Sequence, residues 1–365
     1  MADASPLVLI MAGGTGGHVY PALAVANELR DRGYRIAWVG TSRGLEARVV
    51  PEAGFDLHQL SMRGVRGKNF LHTLLGLVML VVALLQALVL VYRLSPRCVV
   101  GLGGYAAGPA GLAAWLLRKP LVIHEQNAVA GTTNRLLAPM ARTVIAGFPG
   151  AFRDDVEYDV LGNPVRRELL AAATEHSWDF SGQRPLRLLI VGGSLGAKPL
   201  NDLVPGVVRK LLRIEQGPGL EVWHQSGSAH GDAVRTAYGR ATEGSVKVTE
   251  FIEDMAAAYA WADLVLCRAG ALTVAELAIM GRPALLVPLP HAIDDHQTAN
   301  ARALTDVGAG ILLKQSELTA SRLQDILESY LVRPERLAVM AAASKQAGHP
   351  SATIDVADRC EEFLA

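Results

Sequence analysis

The segment AGGTGGHVYP, residues 12–21, places Gly13, Gly14, Gly16 and Gly17 directly before a helical pattern. Glycines there let backbone N–H groups approach an anion, and a helix N-terminus adds a favourable dipole. His18 begins that helix, where the dipole favours the neutral imidazole that a general base needs. Packing or capping explains a lone histidine equally well. A second glycine loop, GLGGYAAGP, carries Gly103, Gly104 and Tyr105, and LVIHEQN ends in Glu125, Gln126 and Asn127. Three such strand ends suit an anionic, hydroxylated ligand.

The second half repeats the device in LIVGGSLGAK, with Gly192, Gly193 and Ser194 before a helix. The same residues match G-x-S-x-G, the nucleophile elbow of serine hydrolases, with Asp294, Asp295 and His296 downstream. A hydrolase leaves the glycine loops of the first half without a role, and the adjacent Asp295 and His296 are not spaced as a triad. Thr273 and Glu276 have capping-box spacing, so the residues alone favour a helix cap; Glu276 could equally hold a ribose diol. HAIDDHQTAN places more polar groups at a strand end. His291 and His296 have no third partner at metal spacing.

Other nucleotide chemistries fit poorly. GxGxxG fails because Val19 takes the third glycine position, and YRIAWVGTS lacks the acid that holds a ribose in nicotinamide sites. A P-loop fails at Ala197-Lys198 and at Gly67-Lys68.

Positioning these residues requires sheets. Short apolar runs (LVLIMA, YRIAWVG, FDLHQL, CVVGLGG, LVIHEQN, TVIAG) alternate with helical patterns, which predicts a parallel sheet covered on both faces. After the polar stretch TEHSWDFSGQRP the grammar restarts with LRLLIVGGS and a helix over about 199–215, then LEVWHQSG, VKVTEF, LVLCRAG, PALLVPLP and GILLK. The fold class is α/β, with two doubly wound domains joined near GNPVRRELL. The 365 residues, 50% apolar, suffice for both cores. With 35 basic and 35 acidic side chains, no bulk field attracts nucleic acid. Cys98, Cys267 and Cys360 are too few and too dispersed for a disulfide framework or a CxxC site. MADASPLVLIMAGG lacks a basic n-region and reads as a first strand rather than a signal peptide.

AGGTGGHVYPALAVA, GLGGYAAGPAGLAAW, HEQNAVAG, AGFPGAF, GNPVR, VGGSLGAK, WHQSG, VTEFIEDMAAAYAWADLVLCRAGALTVAE and DDHQTANA occur in this order over about 8–301. Together they resemble the bacterial peptidoglycan glycosyltransferases that add N-acetylglucosamine to lipid I. The resemblance implies the GT-B architecture: two Rossmann-like domains with the active site in an interdomain cleft. Residues 1–165 would form the acceptor and membrane-docking domain, 166–345 the donor domain, and a helix over about 346–365 would pack back on the first.

The resemblance also assigns roles. UDP-N-acetylglucosamine would meet Ser194 and the 192–196 loop through its diphosphate, the Ile252 backbone through uracil beside Phe251, and Ala271, Leu272, Thr273, Val274, Ala275 and Glu276 through a helix N-terminus, with Glu276 on the ribose. Arg166 and Gln297 would touch the donor and its sugar hydroxyls. Thr15, Gly16, Gly17 and Asn127 would reach it from the acceptor side, while Gly13, Gly14, Gly103, Gly104 and Tyr105 would meet the acceptor pyrophosphate. Leu195 stands where some relatives carry Gln, and Ala269 and Ala275 where some carry Ser. His18 is the expected base and Glu125 its competitor. No metal is expected as an obligatory cofactor, and a divalent cation at most stimulates. Expected partners are UDP-N-acetylglucosamine, lipid I, an anionic membrane surface and other cell-wall synthesis and division proteins; nucleic acid is not one. Rival readings are another lipid-directed GT-B transferase, a hydrolase using Ser194 and a noncatalytic membrane adaptor.

Leu74–Val91 is an uncharged run of eighteen residues with one Gly and one Gln, long enough to span a bilayer. It lies between strands of one sheet, and a span would put those strands on opposite sides of the membrane. The expected role is interfacial, on the cytoplasmic face of the inner membrane. Arg63, Arg66, Lys68, Arg93 and Arg97 flank it, at about 1 kcal/mol each near anionic headgroups.

Overall fold

A computed structural model describes residues 5–62, 70–193, 195–213, 218–240, 244–290 and 292–364, except the side chains of 70–75, 77 and 293. Expectations for Arg63, Arg66, Gly67, Lys68, Ser194, His291 and the end of the 199–215 helix, like the side chains of Leu74 and Leu75, lie outside the described residues. The chain divides into two units, 1–166 with 350–365, and 167–349.

In the first unit the continuous apolar run Leu7–Ala12 forms β1, buried at every position as a central parallel strand must be. It is followed by α1 (Gly16–Asp31), β2 (Arg35–Gly40), α2 (Glu46–Glu52), β3 (Asp56–Gln59), α3 (Phe70–Leu94), β4 (Cys98–Gly103), α4 (Ala107–Leu116), β5 (Leu121–Glu125), α5 (Thr132–Leu137), β6 (Thr143–Ala146) and β7 (Asp159–Val160). The sheet order is β3-β2-β1-β4-β5-β6-β7, and each pairing is parallel. Connections leave β1 and β4 toward opposite edges, so the crevice that binds ligands in such sheets opens between their carboxyl ends. The register slips there, Met11 pairing with Gly101 and Ala12 with Gly103, which spreads the two loops at the crevice.

The second unit runs α6 (Arg167–Glu175), β8 (Leu186–Val191), α7 (Lys198–Leu211), β9 (Leu220–Gln225), α8 (Gly231–Tyr238), β10 (Val246–Thr249), α9 (Met255–Trp261), β11 (Leu264–Cys267), α10 (Ala271–Met280), β12 (Ala284–Leu286), α11 (His296–Thr305), β13 (Gly310–Leu312), α12 (Ala320–Val332) and α13 (Glu335–Gln346). Its parallel sheet is ordered β10-β9-β8-β11-β12-β13, with the equivalent crevice between β8 and β11. The last helix, α14 (Ala352–Glu361), returns to the first unit. Val356, Ala357 and Cys360 enter the core beside Leu23 and Ala26, and Arg32 pairs with Asp358 at 2.6 Å and Glu361 at 2.7 Å.

The burial of α3 inverts the usual amphipathic pattern. Ala83, Ala87 and Val91 are buried, and Ala87 and Val91 join the cluster that holds Ala106, Ala107, Ala110, Ala113 and Ala114, so small side chains let α3 approach α4 closely. Val78, Leu80, Val81, Val82, Leu85, Val89 and Tyr92 are exposed. Among the described residues, no helix is long and apolar enough to cross a membrane.

Candidate functional site

In the first unit the site is built from the ends of β1, β4 and β5. Thr15 has extended backbone and precedes α1 without a side-chain cap, its carbonyl oxygen accepting the His18 and Val19 amides at 3.1 and 3.2 Å. Behind the loop lies Glu46, fully buried. Its Oε2 accepts the Gly14 N–H at 2.8 Å, and Oε1 accepts the Thr41 N–H at 2.9 Å and the Thr41 hydroxyl at 2.8 Å. The Gly14 amide is thus turned to Glu46. Gly104 lies against Gly13, where a Cβ would come 2.4 Å from the Gly13 carbonyl oxygen. Tyr105 is half exposed beyond it.

His18 is held by side chains from β5 and its loop. Its Nδ1 is 2.8 Å from Gln126 Oε1, Gln126 Nε2 is 3.0 Å from His124 Nδ1, and His124 Nε2 is 2.9 Å from the Gly162 carbonyl oxygen. Burial pushes the His124 pKa down, which keeps that ring neutral.

Glu125, the competing base, is engaged by its own loop. Its carboxylate is buried. Oε1 accepts from the Asn127 main chain at 2.9 Å and side chain at 3.1 Å; Oε2 accepts from the Gly131 N–H at 3.0 Å and Asn134 Nδ2 at 2.8 Å. A carboxylate occupied by four donors organises the 126–134 loop. Asn127 thereby serves the loop through its side chain. Arg166, at the end of this unit, stacks over the Tyr20 ring at 5.2 Å.

In the second unit the loop after β8 packs backbone to backbone on the loop after β9. A Cβ on Gly196 would meet the Ser226 carbonyl oxygen at 2.0 Å, so only glycine fits. Asn201, on α7, fixes the contact: Nδ2 donates to Ser226 O at 2.8 Å and Oδ1 accepts from His224 Nε2 at 3.0 Å. His224 Nδ1 then accepts the Tyr238 hydroxyl at 2.8 Å, and burial lowers its pKa to about 4. Ile252 is buried and Phe251 exposed after β10, while Leu195 projects from the β8 loop into solvent.

The α10 junction overturns the cap reading. Gly270 is the N-cap, with no side-chain cap bond, so Ala271 starts the helix and Thr273 already lies inside it. Thr273 and Glu276 therefore form no capping box. Glu276 is a buried carboxylate that accepts the Tyr259 hydroxyl at 3.1 Å. Burial, helped by the Glu276 charge, pushes the Cys267 thiol up to about 12. Arg268, which composition alone did not single out, places Nη1 3.2 Å from the carbonyl oxygens of Val287 and Pro288 and Nη2 2.8 Å from Gln315 Oε1. Gln297 Oε1 accepts the Leu289 N–H at 2.9 Å. Among the described residues, no three His, Cys, Asp or Glu side chains converge as a metal site.

The model of the glycosyltransferase family 28 N-terminal domain matches residues 8–146, and that of the C-terminal domain matches 187–356. The chain belongs to glycosyltransferase family 28. Family 28 relatives resemble it over nearly their full length. The UDP-N-acetylglucosamine--N-acetylmuramyl-(pentapeptide) pyrophosphoryl-undecaprenol N-acetylglucosamine transferase of Alkalilimnicola ehrlichii is 52% identical over 355 residues, covering 97% of this chain and 98% of that one. The protein of the same name from Azotobacter vinelandii is 51% identical with the same coverage. The crystal structure of Acinetobacter baumannii MurG aligns with a TM-score of 0.83 at 39% identity, covering 98% of this chain and 99% of that one. The two Rossmann-like parallel-sheet units are accordingly the GT-B fold, and the hydrolase reading of Ser194 is not favoured.

Proposed function

We propose that this family 28 enzyme transfers N-acetylglucosamine from UDP-N-acetylglucosamine to the C4 hydroxyl of the N-acetylmuramyl unit of lipid I, giving lipid II. Relatives at about half identity over nearly the whole chain support the substrates. One geometric observation carries the mechanism: His18 stands at the start of α1 beside the β1/β4 crevice with its Nδ1 held by Gln126.

An α-linked donor and a β-linked product require one displacement at the anomeric carbon with inversion. The acceptor hydroxyl attacks, His18 takes its proton, and UDP departs. Charge developing on the departing diphosphate is met by amide N–H groups at the starts of α7 and α10, a preorganised electrostatic role. In this reading Ser194 faces the diphosphate, the Ile252 backbone reads uracil, Glu276 holds the ribose, and Ala271, Leu272, Thr273, Val274, Ala275, Arg166 and Gln297 complete the donor contacts. Thr15, Gly16 and Gly17 serve the reacting end, and Gly13, Gly103, Gly104 and Tyr105 meet the acceptor pyrophosphate. A divalent cation acts at most as a stimulant, which a chelator titration tests.

The exposed face of α3 supports docking to an anionic membrane surface, where a polyprenyl acceptor is embedded. Beside it Leu57, Leu60, Leu85, Val89, Leu90 and Arg93 line a groove of about 680 Å³.

UDP release from UDP-N-acetylglucosamine, with and without a lipid I analogue, tests the function. Release that requires the acceptor is expected. His18→Ala should lower turnover by about 10²- to 10⁴-fold with donor affinity unchanged. Near-normal turnover in that variant would remove His18 from the mechanism.

A further inference from the structure

We propose that Gln126 and His124 are positioning residues that lock His18 in its Nδ1–H tautomer, leaving Nε2 as the unprotonated nitrogen. The inference rests on the reading of His18 as the base for its catalytic meaning, but its structural content is independent of that reading.

The assignment follows from two main-chain carbonyl oxygens, which only accept hydrogen bonds. His124 Nε2 faces the Gly162 oxygen at 2.9 Å, so Nε2 carries the proton and His124 Nδ1 is left as an acceptor. The Gln126 atom facing that Nδ1 at 3.0 Å must then be its NH2 group, which also lies 3.1 Å from the His124 carbonyl oxygen. The other end of the amide is therefore the oxygen, and His18 Nδ1, 2.8 Å away, must donate to it. Each bond forces the next.

The relay is rigid because it is buried. His124 is fully buried and Gln126 nearly so, while His18 is only partly covered. Burial pushes the His124 pKa down, so the inner ring does not become an imidazolium that would turn the amide around. Gln126 is itself fixed, its main-chain oxygen accepting from Asn163 Nδ2 at 3.0 Å. Gly103 completes the placement of the His18 ring: a Cβ there would come within 2.9 Å of Nδ1. A base presented in the wrong tautomer has no lone pair to offer the substrate, and tautomer control is worth orders of magnitude in other histidine-dependent enzymes.

The test is nitrogen NMR of the full-length protein with 15N-labelled histidine, the His18 signals assigned by their loss in His18→Gln. Wild type should show His18 Nδ1 protonated and Nε2 unprotonated at neutral pH. Gln126→Leu should average the two nitrogens and lower kcat by about 10- to 100-fold with donor KM unchanged. His124→Phe should do both more weakly, because the His124 main-chain oxygen still holds the Gln126 NH2 group. A wild-type spectrum with His18 Nε2 protonated would overturn the proposal without touching the transferase reading. An Nδ1–H signal combined with normal turnover in His18→Ala would sustain the tautomer lock and remove the base assignment instead. Gln126→Leu with the wild-type tautomer and kcat would also overturn it.

Discussion

Glu46 and Gly14 are joined by a 2.8 Å hydrogen bond across 32 residues of sequence, from the buried start of α2 to the glycine loop after β1. The same carboxylate gathers Thr41, so two loops that follow neighbouring strands share one anchor. A Cβ on Gly44 would lie 1.9 Å from Glu46 Oε2, so the surrounding chain is shaped to this side chain. Glu46→Ala leaves a cavity and unpartnered donors, with an expected loss of about 2 to 5 kcal/mol in urea unfolding. Turnover should fall further than stability explains, since the loop beside His18 loses its backing. Unchanged urea midpoints would show that the anchor is dispensable.

Glu125 gives a discriminating case. Glu125→Gln replaces one acceptor by a donor facing either the Asn127 or the Gly131 and Asn134 groups. The expected outcome is a stability loss of about 1 to 3 kcal/mol together with reduced turnover. A kinetic base would behave differently, losing kcat with the fold intact. Thermal unfolding measured beside kcat separates the two.

The strands were legible because central parallel strands are continuous apolar runs: LVLIMA and LRLLIV leave little else to propose. β7 was not, since Asp159–Val160 is two residues long and carries an acid. Glu46 was illegible for another reason. SRGLEARV reads as a solvated helix start, and the burial of its glutamate depends on glycines brought from β1 and β2 by folding. Thr273 and Glu276 had cap spacing, but Gly270 starts the helix earlier, a boundary that residue types alone do not fix. The near-uniform apolarity of α3 hid its facing; the small residues of α4 select Ala87 and Val91 for the buried side.

His224 makes stability depend on pH. Its pKa falls from the ordinary 6.5 to about 4 on burial, so between those values the unfolded chain binds the proton and the folded chain does not. Stability present above about pH 6.5 is therefore lost as pH falls toward about 4, by roughly 3 kcal/mol from this group. His124, also depressed by burial, acts in the same direction. His224→Gln removes one titrating group and should flatten the fall in urea-unfolding free energy between pH 7 and pH 4. An unaltered slope would mean that other groups carry it.

The two faces of α3 should answer oppositely to mutation. Val81 and Leu85 are more than half exposed, so Val81→Asp with Leu85→Asp should change folding stability by no more than about 1 kcal/mol in total. If this face enters a lipid interface, each lost apolar side chain removes about 1.5 to 3 kcal/mol of burial, and binding to anionic phospholipid vesicles should fall at least 100-fold. Ala87→Leu is the converse: it adds bulk where α3 meets the small side chains of α4, and should destabilise the fold by about 1 to 3 kcal/mol while leaving the outer face unchanged. Vesicle sedimentation paired with urea unfolding on the same variants measures both. Full vesicle binding by the double aspartate variant would mean that the apolar face of α3 is not what meets the membrane.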